Sequence, residues 1–292
     1  IVLSIIFLII SNFNSKNNNL NTNTIDLEIF QLNFKNNDKS LTPEKKLNTL
    51  INNIQESTAD LLIFGENNFP YILDNLDLKI LKESLKENQV LIIGATRFEN
   101  DQYYNSLINI TASTVTYFDK IILVPFGEFL PFRDSFTFLE SIVGPNNYSN
   151  GKEERIINLS NNISFIPVIC YEIVFYWKLL NNANYNSNFI INITNDFWFG
   201  KYIGPYQHLY LTKIRAAEFN KPIIRVSNNG ISAVINNKGS IIKYTELNNK
   251  EKFKDKLFLQ KNINFFNEHL ILKIYFFIIF FLITFYYLRK NV

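Results

Sequence analysis

The sequence predicts an α/β domain with helices layered on sheets. Three observations predict it. Strand-like and helix-like patterns alternate from Ile25 onward, and polar residues able to do chemistry recur just past the ends of buried strands. The chain, 292 residues with 47% hydrophobic and 15% aromatic content, has ample material for the core of one large domain or two small ones.

The elements follow in order. "IDLEIFQLNF" carries apolar residues at Ile25, Leu27, Ile29, Leu32 and Phe34, a strand with one irregularity. "LTPEKKLNTLINNIQE" is a helix: Thr42 suits the N-cap and Pro43 the first turn, while Leu47, Leu50, Ile51 and Ile54 share a face. "DLLIF" is a short buried strand ending at Gly65-Glu66, "NLDLKILKESLKEN" a second amphipathic helix, and "VLIIGATRF" another buried strand. "YNSLINI" and "STVTYFDK" have hairpin character, and an irregular stretch from Ile121 to Asn150 follows. "ISFIPVIC" reads as a strand, "EIVFYWKLLNN" as a helix, "NFIINIT" as a strand and "PYQHLYLTKIRAAEFN" as a helix with Leu209, Thr212, Ala216 and Phe219 on one side. "PIIRVSN" and "ISAVINNKGSIIKY" close the domain as a strand and a hairpin turned at Asn237-Lys238-Gly239. The domain is bounded at 25–262.

Both ends are apolar. From Leu270 to Leu288 only Lys273 is charged, near one end where it can snorkel; Tyr286 and Tyr287 suit an interfacial belt, and Arg289 and Lys290 follow. About 20 apolar residues span a bilayer, so 270–288 is expected to be a transmembrane helix. The N-terminal "IVLSIIFLII" has neither a basic start nor a small-residue cleavage site. Residues 1–11 are therefore expected to be the end of a truncated transmembrane helix. The absence of Met points the same way, to a chain lacking its front. The positive-inside rule would put Arg289 and Lys290 in the cytoplasm and the domain on the outer face.

Net charge is +3 and no basic stripe runs among aromatics, so nucleic acid is not an expected partner. One cysteine forms no internal disulfide and leaves the redox compartment open. The abundant Ile, Asn, Lys and Phe read as the codon bias of an AT-rich genome, so "SNFNSKNNNLNTNT" carries no functional weight.

Glu66, Lys120, Cys170, Asn195 and Asp196 each lie at or just past a strand end. A lone cysteine is often a buried structural residue. A Glu, a Lys and a Cys arriving together suggest nucleophilic catalysis instead. A thiol needs a base, a carboxylate in a dry pocket has the raised pKa for that task, and an ammonium can stabilise an oxyanion. The two histidines, His208 and His269, form no Ser-His-Asp arrangement; there is no metal-ligand spacing and no phosphate-cradling glycine loop, so no metal or cofactor is expected.

Glu66, Lys120 and Cys170, in that order, resemble the Glu-Lys-Cys triad of the nitrilase superfamily. The runs "YYNSL", "YFDKIILVPFGEFLPFR", "CYEIVF" and "NITNDFWFGKYIGPYQHLYLTKIRAAEFNKPIIRVSNNGISAVI" resemble its membrane-bound branch, the apolipoprotein N-acyltransferase family, from about Ile25 to the final helix. The resemblance implies a nitrilase-like αββα sandwich flanked by transmembrane segments, in the bacterial inner membrane, catalytic domain periplasmic. It implies a phospholipid acyl donor, an apolipoprotein acceptor and a monomer. By the same resemblance Cys170 is the nucleophile, Glu66 its base, and Lys120, with a backbone N–H near Tyr171, the oxyanion holder. Glu128 orients Lys120, and Tyr171 and Glu172 support the nucleophile. The sequence departs from the family in Phe64-Gly65-Glu66, where Trp-Pro-Glu is usual, and in lacking a Trp between Lys39 and Thr42. The rival readings are a nitrilase-type amidase acting on a small amide and a membrane-tethered remnant without activity.

Overall fold

The alternation at Ile25 becomes β1 (Thr24–Gln31), whose second half is buried on both faces. The computed structural model describes residues 24–35, 38, 40–131, 147–160, 162–181, 183–259 and 268–290. After β1 come α1 (Pro43–Glu56), β2 (Leu61–Phe64), β3 (Ile72–Leu73), α2 (Asn75–Ser84), β4 (Val90–Glu99), β5 (Gln102–Ile110) and β6 (Val115–Asp119). The second half holds β7 (Ile157–Ser160), β8 (Ile163–Ile169), β9 (Phe189–Thr194), α3 (Ile203–Phe219), β10 (Ile223–Ser227), β11 (Ala233–Ile235), β12 (Ile241–Tyr244), β13 (Glu251–Phe258) and α4 (Glu268–Lys290).

Among the described residues the strands form two sheets. The first has the order β13-β1-β2-β4-β5-β6, with β3 beside β4; the second has the order β12-β11-β10-β9-β8-β7. β1, β2 and β4 are mutually parallel, as are β8, β9 and β10; hairpin-linked antiparallel strands complete each sheet. β13 returns antiparallel to β1 in the register Thr24↔Phe258 to Gln31↔Glu251.

Three buried clusters explain the layering. Between the sheets, Leu27, Ile29, Ile63, Ile92 and Phe118 meet Phe165, Ile169, Phe189, Ile191 and Val226. On the outer face of the first sheet, Phe30, Phe64, Leu91 and Ile93 pack with Leu50 and Ile54 of α1 and Leu81 of α2. Phe30 stacks on Phe64, centroids 4.4 Å apart, across the β1–β2 register. On the outer face of the second sheet, Ile166, Val168 and Ile190 pack with Leu209 and Ala216 of α3. The expected αββα order of layers is thus observed. Strands covered on both sides read as unbroken apolar runs such as "LLIF", fully buried here.

The local signals at α1 behave as expected: the Thr42 hydroxyl accepts the Lys45 N–H and Pro43 opens the helix. Elsewhere the structure differs from expectation. "EIVFYWKLLNN" is two 3-10 turns, Cys170–Val174 and Tyr176–Lys178. Glu172 is drawn inward to a buried arginine and to the Ile169 N–H, which holds the chain in a tight turn. β3, β7 and β13 were not expected. The predicted span at 270–288 falls within α4, 23 residues long, along which the described side chains Phe277–Ile283 and Phe285–Tyr287 stand exposed. Among the described residues no helix is long and apolar enough to cross a membrane. The expected segment 1–11 lies outside the described residues.

Candidate active site

β2, β6, β8, β9 and β10 all end at one edge of the sandwich. Glu66 follows β2 by way of Gly65, and backbone crowds it from both sides. A Cβ on Gly94 of β4 would lie 2.5 Å from the Glu66 Cα, and one on Gly65 would lie 2.7 Å from the Asn228 nitrogen past β10. Only glycines admit this approach, which brings the first sheet's carboxylate to the second sheet's strand ends. Asn68 braces the turn, accepting the Gly65 N–H at 2.8 Å and donating to Asn228 Oδ1 at 3.0 Å.

Glu66 Oε1 accepts Asn105 Nδ2 at 2.8 Å and lies 3.6 Å from Lys120 Nζ; Oε2 accepts the Asn195 N–H at 2.8 Å. Lys120 comes directly after β6. Its Nζ donates to Glu128 Oε1 at 2.8 Å, and Glu128 also accepts Asn105 Nδ2 at 2.7 Å and the Val124 N–H at 2.9 Å. Asn105 and Lys120 therefore bridge two carboxylates that would otherwise repel. Cys170 directly follows β8 and adopts φ 53°, a left-handed conformation for a residue with a side chain. Its thiol lies close enough to Glu66 and Lys120 for both charges to act on it. The structure thus brings Glu66, Lys120, Cys170 and Glu128 to one place; the first three are only 5%, 1% and 7% exposed.

The charge states follow from this packing. Burial pushes the Cys170 thiol up to about 12; the nearby Glu66 carboxylate adds to this and Lys120 opposes it. Burial also raises Glu66, against the pull of Lys120 and with help from Glu128. Burial works against the Lys120 charge, but Glu66, Cys170 and Glu128 outweigh it and hold the ammonium above its ordinary value. A neutral thiol, a carboxylate of raised basicity and a fixed cation can transfer a proton and stabilise an oxyanion within one small volume.

Glu172 is elsewhere. It is fully buried against Arg155, with Nη2 2.8 Å from Oε1 and Nη1 2.9 Å from Oε2, and it accepts the backbone N–H groups of Ile121, Ile122 and Ile169. Burial opposes its charge, but Arg155 and these donors hold it below the usual carboxylate range. It straps the segment after Lys120 to the turn of Cys170. Tyr171 is partly exposed and its ring meets Phe175 edge-on. Exposed aromatics follow on both adjoining loops: Tyr176, Trp177, Phe197, Trp198 and Tyr202.

Sequence reasoning did not single out Asn105, Arg155 or Arg225, and it did not join Asp196 to His208 in one buried set. Asn105 lies in the "YYNSL" run, and Asp196 was visible only as a polar residue after β9. Among the described residues no group of His, Cys, Asp and Glu is placed to hold a metal ion.

Two facing sheets with helices on their outer faces, and a carboxylate, an ammonium and a thiol gathered at the strand ends, define an αββα class of α/β protein. The family model for carbon-nitrogen hydrolase matches residues 29–252, and the chain belongs to that family. Solved structures with this fold include Nit3 of Saccharomyces cerevisiae, a member of branch 10 of the nitrilase superfamily, with a TM-score of 0.60 at 18% identity over 80% of this chain and 90% of that one. Glutamine-dependent NAD+ synthetase of Acinetobacter baumannii gives 0.61 at 15% identity over 83% and 48%. At these identities the likeness is one of fold. Within the family the chain is similar to proteins named apolipoprotein N-acyltransferase. That of Rhizobium leguminosarum bv. trifolii is 39% identical over 196 residues, 63% of this chain and 36% of that protein. That of Brucella suis biovar 1 is 37% identical over 195 residues, 62% and 36%. The match therefore spans little more than a third of these relatives' length.

Proposed function

We propose that this chain carries the catalytic domain of a lipoprotein N-acyltransferase. The observation that carries the chemistry is Lys120 Nζ 3.6 Å from the Glu66 carboxylate, with the Cys170 thiol near enough to feel both charges. The acyl-transfer direction is supported by the 39% identity to a protein of that name.

In this reading Glu66 takes the Cys170 proton as sulfur attacks the ester carbonyl of a phospholipid. Lys120 and the Tyr171 N–H stabilise the tetrahedral oxyanion. The C–O bond breaks, the lysophospholipid oxygen leaves with the proton from Glu66, and a thioester remains on Cys170. The α-amino group of a diacylglyceryl-cysteine apolipoprotein then attacks, giving its proton to Glu66, which returns one to the departing sulfur. Glu128 keeps Lys120 in place throughout. The exposed apolar side chains of α4 suit anchorage in a bacterial inner membrane, with the domain on the periplasmic side and the protein acting as a monomer.

The test uses membranes containing the protein and a phospholipid labelled in its acyl chain. Mass spectrometry should find the acyl group on Cys170, and the label should pass to a diacylglyceryl-cysteine peptide. Cys170→Ala should do neither. Hydrolysis of small amides without acyl transfer would replace this reading with the amidase.

A further inference from the structure

Cys170 holds a left-handed backbone conformation, and such strain persists only where the surroundings enforce it. Two side chains grip the Cys170 carbonyl oxygen: His208 Nε2 at 3.3 Å and Asn192 Nδ2 at 3.4 Å. Both are held in turn by Arg225, which is completely buried. Its Nη1 donates to Asn192 Oδ1 at 3.0 Å and its Nη2 lies 3.2 Å from His208 Nδ1. Nη2 also pairs with Asp196 Oδ2 at 2.6 Å, while Asp196 Oδ1 accepts the Thr194 hydroxyl at 3.1 Å and lies 2.9 Å from His208 Nδ1. The cluster is closed: every charge in it is buried and paired, at a cost that packing alone does not require.

A ring that grips a carbonyl must carry hydrogen on Nε2. Nδ1 lies 2.9 Å from Asp196 Oδ1 and 3.2 Å from Arg225 Nη2, so the ring is held between the two. Burial and the Arg225 charge lower the His208 pKa, against the opposing pull of Asp196 and the Cys170 carbonyl. The peptide bond between Cys170 and Tyr171 is planar and trans, so its carbonyl and its N–H point in opposite directions. A grip on the carbonyl from the α3 side therefore fixes where the Tyr171 N–H points on the other side.

We propose that His208 is a positioning residue, and that through the Cys170 carbonyl it aims the Tyr171 N–H at the oxyanion formed during acylation. This rests on Cys170 being the nucleophile but not on the acyl donor being a phospholipid.

The experiment acylates Cys170 of the full chain with p-nitrophenyl butyrate. Sulfur bonds to the acyl carbon, p-nitrophenolate leaves, and the thiol proton passes to Glu66. Iodoacetamide, whose displacement forms no oxyanion, alkylates the same thiol as a control. In His208→Ala, acylation should slow by about 10- to 100-fold while alkylation changes by less than about threefold. His208→Gln, whose amide can donate to the same carbonyl, should recover at least part of the loss. His208→Leu, which fills the space without a donor, replaces the alanine variant if thermal melting shows that variant unfolded. Wild-type acylation rates in a folded donor-less variant overturn the proposal. So does an equal fall in acylation and alkylation that glutamine does not restore. A wild-type thiol that the ester does not acylate overturns it together with the nucleophile assignment. Failure of phospholipid transfer, with ester acylation intact, overturns only the proposed donor.

Discussion

A thiol that burial keeps protonated up to about 12 reacts only if its proton has a nearby acceptor, and in the proposed mechanism Glu66 is that acceptor. Glu66→Gln preserves shape but not basicity, so thioester formation should fall by about 10²- to 10⁴-fold with little change in melting temperature. The same pair sets a pH profile. Glu66 works as the carboxylate, and its pKa is raised, so activity should rise with pH through a midpoint above the ordinary Glu value of about 4.3. Above that midpoint the rate of Cys170 thioester formation should stay level to about pH 9, because the thiol stays neutral and Lys120 stays charged. A midpoint near 4.3 would mean that Glu66 is not the base. At this scale the sequence pointed to Glu66, Lys120 and Cys170 by residue type at strand ends and to Glu128 through its family resemblance, and the structure sets Glu66, Lys120 and Glu128 in contact, with Cys170 nearby. The sequence was silent on Asn105 and Arg225, because a polar side chain inside a sheet declares its role only through partners from distant strands: Asn105 with Glu66, Arg225 with Asn192. Glu172 was chosen as a neighbour of the nucleophile, and it acts through Arg155, away from the thiol.

Elements position these groups, and each can be loosened separately. Leu50 and Ile54 are the fully buried face of α1, so Leu50→Ala should cost about 2–5 kcal/mol in chemical denaturation. Gly94→Ala is a sharper probe. Its new Cβ would collide with the Glu66 turn at 2.5 Å, so activity should drop even in the fraction that remains folded, read as kcat per titrated active site. Arg155→Met would strand the buried Glu172 carboxylate, and breaking such a pair costs about 3–5 kcal/mol. Periodicity made α1, β2, β4, β9 and α3 legible. It failed after Cys170, where the apolar and aromatic run suggested a helix but the inward pull on Glu172 produced two 3-10 turns. β13 carries the alternation Lys252, Lys254, Lys256 on its exposed side, a period-2 signal that charge disguised. Those lysines also discourage another chain from pairing with this sheet edge.

The molecule as a whole should weaken in acid in two stages. His208 has a lowered pKa in the fold, so the stability it contributes is present above about 6.5 and is lost as pH falls from there toward the folded value. Asp196 and Glu172 are also lowered, although burial opposes their charge: Arg225 and His208 hold the first and Arg155 the second. Their contribution is present above the ordinary carboxylate range, about 4, and disappears below it. Glu66, being raised, acts in the opposite sense. Melting temperature measured against pH should show both steps, and His208→Gln should lack the upper one.

Thr24 sits opposite Phe258 in the β1–β13 register, so the backbone enters and leaves this domain at one corner. β1 runs parallel to β2, which places that corner at the far end of the strands from Glu66, about 25 Å away at 3.3 Å per residue. A lipid anchor in α4 would thus hold the domain by its heel while the thiol occupies the toe. Residues 260–267 reach at most about 30 Å when drawn out, scarcely more than the length of the foot. Trimming four of them should keep Cys170 from bilayer-borne acyl donors while leaving its reaction with dissolved esters intact.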